Sequence, residues 1–453
     1  MDFNESGRKK GVGLLMKEGW KKGSAILVAV LCSVMLLVSA ASPAAAAASA
    51  GVIESNASYH ARRTFGTGLY DPVSNKTYVT YSGPVMDVYV KAFDHGNNAW
   101  EPAVRIKVWN DSISSAYHDY TTMVKLPDGR LGIFIFNHAN TAYLLKAPYA
   151  NSISGAWSTT NVSNDRNTYP MPVVSGNDVY LFYSRNDDSS YPYRTYRMIK
   201  SGDSGQTWSA PSTIIDTGKT ADKFNEVYAF GVYEKWGRIY ITWTMGGGPG
   251  GHNAEARNLY LAYLDTSDST MRNAAGLNLK NTVDFGADLD SCLVAQSLPS
   301  SASTDYFAKH PIQNSQPSVD DDGTVYVGYG DESANGPGIK LARFTNGAWT
   351  ISTVDSTSSR FMDMVKTGSH KFEVLYTSQD FTSILGKQTD NGGASWYAKY
   401  AYATPFGDSN GDRVFYINFI EGRSTVSAVG ATINYAQRQL DYTGKWTVFA
   451  LTR

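Results

Sequence analysis

A short strand-like pattern recurs seven times along the chain, and this repetition constrains the fold more than any other feature. Each copy alternates side-chain character over five residues, which is the two-residue period of a β-strand. The last positions of successive copies lie 47 to 86 residues apart, and in six copies a tryptophan follows 17 to 25 residues later. The copies are Thr77–Tyr81, Gly132–Phe136, Val179–Tyr183, Ile239–Trp243, Val325–Tyr329, Phe372–Tyr376 and Thr425–Val429.

Turn sequences precede several of these strands, for example Leu126-Pro-Asp-Gly129 and Asp320-Asp-Asp-Gly323. A turn followed by an alternating strand is typical of a β-hairpin. No segment after residue 50 keeps a 3.6-residue apolar period over several turns. A repeat near 55 residues with about four strands has the size of a propeller blade, which buries its faces only against neighbouring blades. The sequence therefore predicts an all-β fold, a seven-bladed β-propeller of four-stranded antiparallel blades, with six or eight blades as the alternatives.

Residues 1–50 are typical of a cleavable signal peptide. Basic side chains between Arg8 and Lys22 precede an apolar run from Ala25 to Ala40, and small residues then lead to Ala48-Ser49-Ala50, a pattern that suits signal peptidase. The apolar run is shorter than the roughly 18 residues of a membrane span. We therefore expect a secreted, extracellular protein with one β-propeller domain over residues 51–453 and no membrane association after cleavage. An uncleaved N-terminal anchor is the alternative.

Charge and cysteine content exclude several classes of function. The chain has a net charge of −1, and residues 1–50 carry six basic and three acidic side chains, so the remainder carries about −4. It has no basic block that would follow a nucleic-acid backbone. Cys292 is the one cysteine after residue 50, so no internal disulfide forms there. We expect a monomer with a packed core, no nucleic-acid partner, no cofactor and no metal.

The longest step between repeats, 86 residues, indicates an insertion over roughly residues 265–318. It contains Cys292 and the segment Lys309–Gln313. Long connections in a propeller lie on its faces and often shape the binding site. A loop that only covers a blade edge explains the insertion equally well.

Ser201-Gly-Asp-Ser-Gly-Gln-Thr-Trp208 fits the pattern S-x-D-x-G-x-T-W at every fixed position. The segment Thr389–Trp396 is a looser copy, in which we align Asp390 with the aspartate and count one extra residue. The pattern resembles the bacterial neuraminidase (BNR) repeat, or Asp-box, a hairpin turn in which Asp accepts amide hydrogens and Gly takes a positive φ. It is specific for a propeller and not for a reaction, so we interpret Asp203 as structural.

Two histidines flank one predicted hairpin. His118 precedes, and His138 follows, a segment with a Pro-Asp-Gly turn between two strands. Residues at such offsets lie near each other at the open end of a hairpin, so we expect both imidazoles at the same face. Two neighbouring histidines suit proton transfer at ambient pH. Hydrogen-bonded histidines at strand ends, or half of a metal site, are the alternatives.

Together these elements resemble a group of BNR-repeat polysaccharide lyases, the ulvan lyases and rhamnose–glucuronate lyases. The shared elements are the histidine pair around Leu-Pro-Asp-Gly-Arg-Leu, then Tyr169-Pro-Met-Pro172, Tyr183-Ser-Arg185 and Tyr196-Arg197. They cover most of residues 115–265 and continue more thinly to the C-terminus. The resemblance implies a β-propeller enzyme that cleaves a uronic-acid-containing polysaccharide by β-elimination, with an acidic polysaccharide or oligosaccharide as its partner.

The same resemblance implies catalytic roles for four residues. His118 and His138 are acid–base or substrate-orienting groups, Tyr183 is a second proton-transfer residue, and Arg197 pairs with the uronate carboxylate. The chemistry needs these types of residue. A cation must neutralise the carboxylate before the adjacent proton becomes acidic, a base must take that proton, and an acid must meet the leaving oxygen.

Three further residues, Tyr228, His252 and Arg257, fall where the family places substrate-binding groups. The segment Thr244–Asn253 departs from the family because it is rich in glycine where an acidic residue is usual. This departure leaves the identity of the substrate open.

Tyr183 and Arg197 also fit purely structural roles, and two further functions fit the sequence. Six of the seven repeats carry an aromatic residue at the position of Tyr183, and Arg197 could belong to the surface of an outer strand. The Asp-box also suits a sialidase-like glycosidase, but the Arg-Ile-Pro element of that family is missing, and Arg62-Arg63-Thr-Phe stands in its place. A non-catalytic sugar-binding propeller is the third possibility, because a fold alone does not fix a function.

Overall fold

The structure is a computed structural model that describes residues 49–58, 67–108, 121–136, 139–188, 193–333, 336–403, 412–420, 422, 425–434 and 446–452. These residues fall within one compact unit, Ala45–Arg453. Strands dominate it, and its helices are short, so the prediction of an all-β fold is confirmed. Among the described residues, no helix has both the length and the apolar character to span a bilayer.

Thirty strands, two α-helices and one 3-10 helix make up the described chain. The first strands are β1 (Ser49–Ala57), β2 (Gly68–Asp71), β3 (Lys76–Ser82), β4 (Val88–Asp94), β5 (Ala99–Trp100), β6 (Val104–Lys107), β7 (Thr122–Lys125), β8 (Arg130–Phe136), β9 (Asn140–Ala150) and β10 (Ser158–Ser175), with the 3-10 helix at Pro84–Met86. Next come β11 (Asp178–Asp188), β12 (Tyr193–Ser201), β13 (Ser212–Asp216), β14 (Glu226–Lys235), β15 (Arg238–Gly247), β16 (Glu255–Asp265), β17 (Thr270–Asn273), β18 (Val283–Asp284), α1 (Ala287–Ser291), β19 (Leu293–Ala295) and α2 (Tyr306–Lys309). The last are β20 (Ser315–Val319), β21 (Val325–Asp331), β22 (Gly338–Thr345), β23 (Ala348–Asp355), β24 (Arg360–Gly368), β25 (Lys371–Thr377), β26 (Ser383–Thr389), β27 (Tyr397–Ala403), β28 (Asp412–Phe419), β29 (Val426–Asn434) and β30 (Trp446–Thr452).

Each of the seven predicted repeat segments lies on a strand that has an antiparallel neighbour on both sides, and the last segment begins one residue before its strand. These central strands are β3, β8, β11, β15, β21, β25 and β29. Strands β20–β23 and β24–β27 form separate four-stranded sheets, and β2–β6 form a five-stranded one. A thirteen-stranded sheet contains β7–β19. The alternation read from the sequence therefore identified the second strand of every antiparallel run.

Strand β10 is shared between two of these runs. Its first part pairs with β9 and its second part with β11. The register with β11 shifts between Thr168 and Met171, and the backbone takes positive φ at Arg166 (53°) and Tyr169 (62°). Positive φ is uncommon for such residues and costs energy, so surrounding contacts must hold this bend. The bend lies at the candidate site described below.

The first and last described strands pair with each other. Strand β1 runs antiparallel to β30, and β30, β29 and β28 complete a four-stranded sheet. The pairing begins at Ser49 with Thr452. Strand β1 therefore starts two residues before the boundary that the sequence predicts between leader and domain.

Neighbouring runs pack through apolar side chains from opposite faces of the strands. On β11, Leu181 packs with Phe134 and Leu144 of the preceding run. The adjacent Phe182 packs in a different cluster with Trp243 of the following run. Alternation along one strand thus serves two interfaces, which explains why both faces of the repeat strands are apolar.

The Asp-box forms the predicted turn. The carboxylate of Asp203 accepts the backbone N–H groups of Gln206 and Thr207 at 2.9 and 2.8 Å, Gly205 has φ 85°, and Trp208 packs edge-on against Phe134 at 5.7 Å.

The second box corrects our alignment. Asn391, not Asp390, takes the place of the aspartate, because its Oδ1 accepts the N–H of Ser395 at 3.0 Å. The copy therefore has no extra residue, and its carboxylate is replaced by an amide.

Candidate functional site

His118 and His138 lie outside the residues that the structure describes. The hairpin between them is described, and it has the predicted form. Strands β7 and β8 pair antiparallel from Thr122 with Phe134, and the N–H of Gly129 donates to the carbonyl of Leu126 at 2.9 Å to close the turn. The proposed roles of the two histidines therefore stay predictions.

Tyr183 and Arg197 lie directly opposite each other on β11 and β12 and share one carboxylate. The Tyr183 hydroxyl donates to Oδ2 of Asp165 at 2.9 Å, and the Arg197 guanidinium donates to the same oxygen at 3.0 Å. Arg185 forms an ion pair with the other oxygen at 2.8 Å. We call Asp165, Tyr183, Arg185 and Arg197 the arginine–tyrosine cluster.

The cluster combines a buried phenol with partly exposed charges. Tyr183 has no exposed surface, whereas the side chains of Asp165, Arg185 and Arg197 are 16, 27 and 21% exposed. Burial, together with the neighbouring Asp165 carboxylate, raises the pKa of Tyr183 well above its usual range. Tyr183 therefore carries its proton at neutral pH, and its hydroxyl lies on the same carboxylate as two guanidinium groups.

A second cluster surrounds the buried carboxylate of Glu226, at the start of β14. Its Oε1 forms a short hydrogen bond with Nδ1 of His252, and its Oε2 accepts the backbone N–H of Asn253 at 2.9 Å. The Tyr228 hydroxyl contacts Oε2 at 3.4 Å. The structure thus brings together two of the predicted substrate-binding residues, Tyr228 and His252, through a carboxylate that the sequence did not identify.

Arg194 supplies the positive charge of this second cluster. Arg194 is 1% exposed, and its guanidinium lies over the rings of Tyr228 and Tyr169, at 4.6 and 5.4 Å. A single parallel bridge between β12 and β14 sets Arg194 beside Glu226. Burial favours the protonated form of Glu226, but the bond to His252 and the charge of Arg194 outweigh it and lower the pKa of this carboxyl. We call Tyr169, Arg194, Glu226, Tyr228 and His252 the Glu226 cluster.

The bend in β10 connects the two clusters, because it carries Asp165 at one end and Tyr169 at the other. Between them, Asn167 donates to the carbonyl of Asn140 at 2.8 Å, and Thr168 Oγ1 accepts the N–H of Ala139 at 3.1 Å. The positive φ angles of this segment therefore belong to the part of the chain that positions both clusters.

Arg257, the third predicted binding residue, has other partners. Its guanidinium forms an ion pair with Asp222 and lies 4.2 Å from the centre of the Phe224 ring. Among the contacts that the structure describes, none joins Arg257 to either cluster.

One group of described residues has the spacing of a metal site: Asp320, Asp322 and His370. Asp320 already bonds to the Lys366 ammonium at 2.8 Å and to Nδ1 of His370 at 2.7 Å. Because a second cation beside Lys366 would meet electrostatic repulsion, we interpret the group as a link between the turns that precede β21 and β25.

Comparison with known proteins identifies the family. Residues 76–357 match the sequence profile described as a BNR repeat-containing family member, which is more than half of the chain. The chain belongs to this family. The family assignment agrees with the resemblance drawn from the Asp-box and the histidine hairpin.

Two curated relatives of this BNR repeat protein are ulvan lyases. It is 24% identical over 234 residues to the PL25 ulvan lyase of Pseudoalteromonas sp. (strain PLSV), and 25% identical over 236 residues to the ulvan lyase of Alteromonas sp. (strain LOR). Each alignment covers 45% of this chain and 47% of the relative. The aligned part of the chain thus spans about half the length of the curated relatives it matches.

A solved structure extends the likeness of the fold. The PL25 ulvan lyase bound to -[GlcA(1-4)Rha3S]- matches with a TM-score of 0.69 and 16% identity, over 89% of this chain and 95% of that one. At this identity the likeness concerns the fold, and it supports a propeller-like all-β architecture for the BNR repeat protein.

The sequence did not identify four charged residues of the two clusters as site residues: Asp165, Arg185, Arg194 and Glu226. Asp165 lies in a polar stretch that has no motif, and Glu226 precedes the recognised Tyr228 by two residues. Period-2 alternation places Glu226 and Tyr228 on the same side of β14, which is the signal that could have paired them.

Proposed function

We propose that this chain is a secreted polysaccharide lyase that cleaves a uronic-acid-containing polysaccharide by β-elimination. The observation that carries the proposal is the arginine–tyrosine cluster, in which Tyr183 and Arg197 meet on one carboxylate. The names of the two curated relatives, both ulvan lyases, support the same reaction and an acidic substrate.

The cluster presents two guanidinium groups that suit a uronate. Arg185 and Arg197 both bond to Asp165, and their side chains are 27 and 21% exposed. A substrate carboxylate beside these guanidinium groups has its negative charge neutralised. Arginine presents a planar fork of donors that matches a carboxylate. Neutralisation makes the proton on the adjacent carbon more acidic and stabilises the enolate-like state that forms when it leaves.

Tyr183 is proposed as the acid of the reaction. A phenol holds its proton at neutral pH, and burial beside Asp165 raises the pKa of Tyr183 further. When a base removes the proton beside the carboxylate, the electron pair forms a carbon–carbon double bond and the bond to the glycosidic oxygen breaks. That oxygen takes a proton from Tyr183, and the cycle closes when Tyr183 recovers one from the base or from water.

His118 and His138 are proposed as the base and its partner. In the described part of the hairpin Thr122 pairs with Phe134. In the sequence, His118 precedes Thr122 by four residues and His138 follows Phe134 by four residues. Support also comes from Ala139, the described residue after His138, since its N–H donates to Thr168 in the segment that carries Asp165.

We also propose a seven-bladed propeller for residues 51–453, with a signal peptide before it. Each central repeat strand with its antiparallel neighbours corresponds to one four-stranded blade, and the pairing of β1 with β30 supports closure of the ring between the first and last blades. Such closure leaves few exposed edges. The mature protein is proposed to act as an extracellular monomer without a nucleic-acid or membrane partner.

The test is to incubate the mature protein with ulvan, gum arabic and glucuronan and to follow ultraviolet absorbance. A lyase leaves an unsaturated uronate that absorbs. New reducing ends without absorbance would indicate a hydrolase, and binding without any new chain ends would indicate a sugar-binding protein. Either of these two outcomes contradicts the proposal.

A further inference from the structure

Glu226 is a buried charged residue that the proposed elimination does not use. Its side chain is 2% exposed, yet the imidazole of His252 that bonds to it is 55% exposed. Burying a carboxylate without compensation is costly. Its partners are therefore informative, and they all belong to the same small region: the His252 ring, the Asn253 backbone and the Tyr228 hydroxyl.

The charge of Glu226 decides which nitrogen of His252 carries the proton. An ionised carboxylate only accepts hydrogen bonds, so Nδ1 of a neutral His252 must be the protonated nitrogen. Nε2 of the neutral ring then has its lone pair available as an acceptor. Such a carboxylate–imidazole pair fixes both the tautomer and the orientation of the ring.

Arg194 keeps Glu226 in the form that this arrangement needs. The buried guanidinium lies beside Glu226 through the bridge between β12 and β14, with aromatic rings of Tyr169 and Tyr228 against it. Together with the His252 and Asn253 hydrogen bonds, its charge holds the carboxyl ionised despite burial.

The insertion after β17 also contacts the glycine-rich segment that carries His252 and Asn253. In His310, at the C-terminal end of α2, Nε2 lies 2.9 Å from the carbonyl oxygen of Asn253 and Nδ1 lies 2.9 Å from the carbonyl oxygen of Tyr306. Asn253 therefore has its N–H on Glu226 and its carbonyl on His310. Because Asn253 adjoins His252, the backbone beside the imidazole is fixed at two points.

We propose that Glu226 is a positioning residue for His252, and that it holds the imidazole as the Nδ1–H tautomer so that Nε2 accepts a hydrogen bond from a sugar hydroxyl. This inference rests on the proposed function, because it assigns a role within the same substrate site. The glycine-rich loop places the imidazole at the surface, and Glu226 supplies the directionality that a mobile exposed histidine would lack.

The first test reads the tautomer directly and needs no substrate. In protein labelled with ¹⁵N at histidine, the His252 signals at alkaline pH should show a protonated Nδ1 in the wild-type protein. Glu226→Ala should shift them to a mixture rich in the Nε2–H form. A wild-type signal already dominated by the Nε2–H form would overturn the proposal, whatever the activity of the protein.

The second test separates positioning from a purely structural role. His252→Ala and Glu226→Ala should each raise KM about 10-fold, the size expected for one substrate hydrogen bond, with kcat within about twofold. The double variant should be no worse than either single variant, because both remove the same contact. Glu226→Gln keeps an oxygen that accepts the Nδ1–H, so its effect on KM should be smaller than that of Glu226→Ala. It replaces Glu226→Ala in the comparison if the alanine variant does not fold.

The matched control is Glu373→Gln. Glu373 is 1% exposed and forms an ion pair with Lys399. Both residues lie on the β24–β27 sheet, which does not carry Glu226. This variant therefore loses a buried carboxylate away from the site. If folded Glu226→Ala and the control Glu373→Gln both keep the wild-type KM while the wild type produces unsaturated uronate, the positioning role is wrong and the lyase proposal stands. If the wild type makes no such product but binds the polysaccharide, the lyase proposal is wrong, and the dissociation constant replaces KM in the same comparison.

Discussion

The Tyr183 hydroxyl and the Arg197 guanidinium bond to the same atom, Oδ2 of Asp165, at 2.9 and 3.0 Å. The two side chains face each other across a β-ladder, so backbone register and one shared carboxylate fix their separation. A proposed proton donor and a proposed carboxylate partner are thus held as one unit.

Tyr183→Phe should abolish most of the activity and cost little stability. The change removes the hydroxyl that donates to Asp165, and loss of a positioned general acid lowers kcat by about 10²-fold or more. Loss of one hydrogen bond reduces the free energy of unfolding by about 1 kcal/mol. Initial rates of unsaturated product and urea unfolding measure the two effects.

Tyr376→Phe is the matched control for that variant. Tyr376 occupies the same position in a later repeat, is buried, and donates to Oδ2 of Asp355 at 2.8 Å. It should lose similar stability and keep full activity. Equal activities of the two variants would mean that Tyr183 is only the aromatic residue of its repeat.

Arg197→Lys should lower kcat/KM by about 10²-fold. Lysine keeps the positive charge but lacks the planar fork that binds a carboxylate through two parallel bonds. Arg272→Lys provides the comparison, because Arg272 is also about one quarter exposed and ion-paired, with Asp265 and Asp268. If both variants retain wild-type kinetics, Arg197 is an ordinary outer-strand arginine.

His138→Ala should retain the fold and lose turnover, since the proposed base or its partner is removed. Circular dichroism would show the unchanged fold, and the product assay should show a loss of about 10²-fold or more. His118→Ala should behave in the same way. His95→Ala, which removes a bond to Thr77 Oγ1 at a different hairpin, should stay active. Wild-type turnover in His138→Ala excludes the proposed role.

The sequence predicted those features that depend on local order. Alternation placed all seven central strands, and the Pro-Asp-Gly turn and first Asp-box formed as expected. The second box shows the limit of this reasoning, because an aspartate beside the correct asparagine suggested the wrong alignment.

The charged partners of the site depend on pairings between distant segments. Asp165 precedes Tyr183 by 18 residues, and Glu226 precedes His252 by 26. A single parallel bridge brings Arg194 to Glu226, and no local pattern encodes such a contact. The sequence therefore predicted the site residues that belong to motifs shared with a family. The fold was needed to show which carboxylates form hydrogen bonds with them.

Asp203→Ala should destabilise the protein without changing its catalysis. The partly exposed carboxylate accepts hydrogen bonds from two backbone N–H groups of its own turn and from the hydroxyl of Thr207. The change removes these bonds and loosens the turn that positions Trp208. We expect a lower melting temperature and unchanged kcat/KM below it. Reduced kcat/KM in fully folded Asp203→Ala would assign this box a catalytic role that we do not expect.

Acid should remove a contribution of Asp355 to stability. Burial alone would raise the pKa of this carboxyl, but hydrogen bonds from Lys387, Thr357 and Tyr376 lower it to about 2, from 3.8 for an ordinary aspartate. A lowered pKa in the folded state means that the contribution is fully present above about pH 4 and is lost as the pH falls through about 2. A difference of nearly two pKa units corresponds to roughly 2 kcal/mol.

Asp355→Asn should therefore be less stable than the wild type by roughly 2 kcal/mol near pH 6, and the two should converge as the pH approaches 2. Urea unfolding at several pH values measures the difference. Asp284→Asn, at an exposed carboxylate, should follow the wild type throughout. A gap between Asp355→Asn and wild type that stays constant from pH 6 to pH 2 would show that the loss comes from packing. In that case the ion pair of Asp355 with Lys387, 2.8 Å long, contributes no acid-sensitive stability.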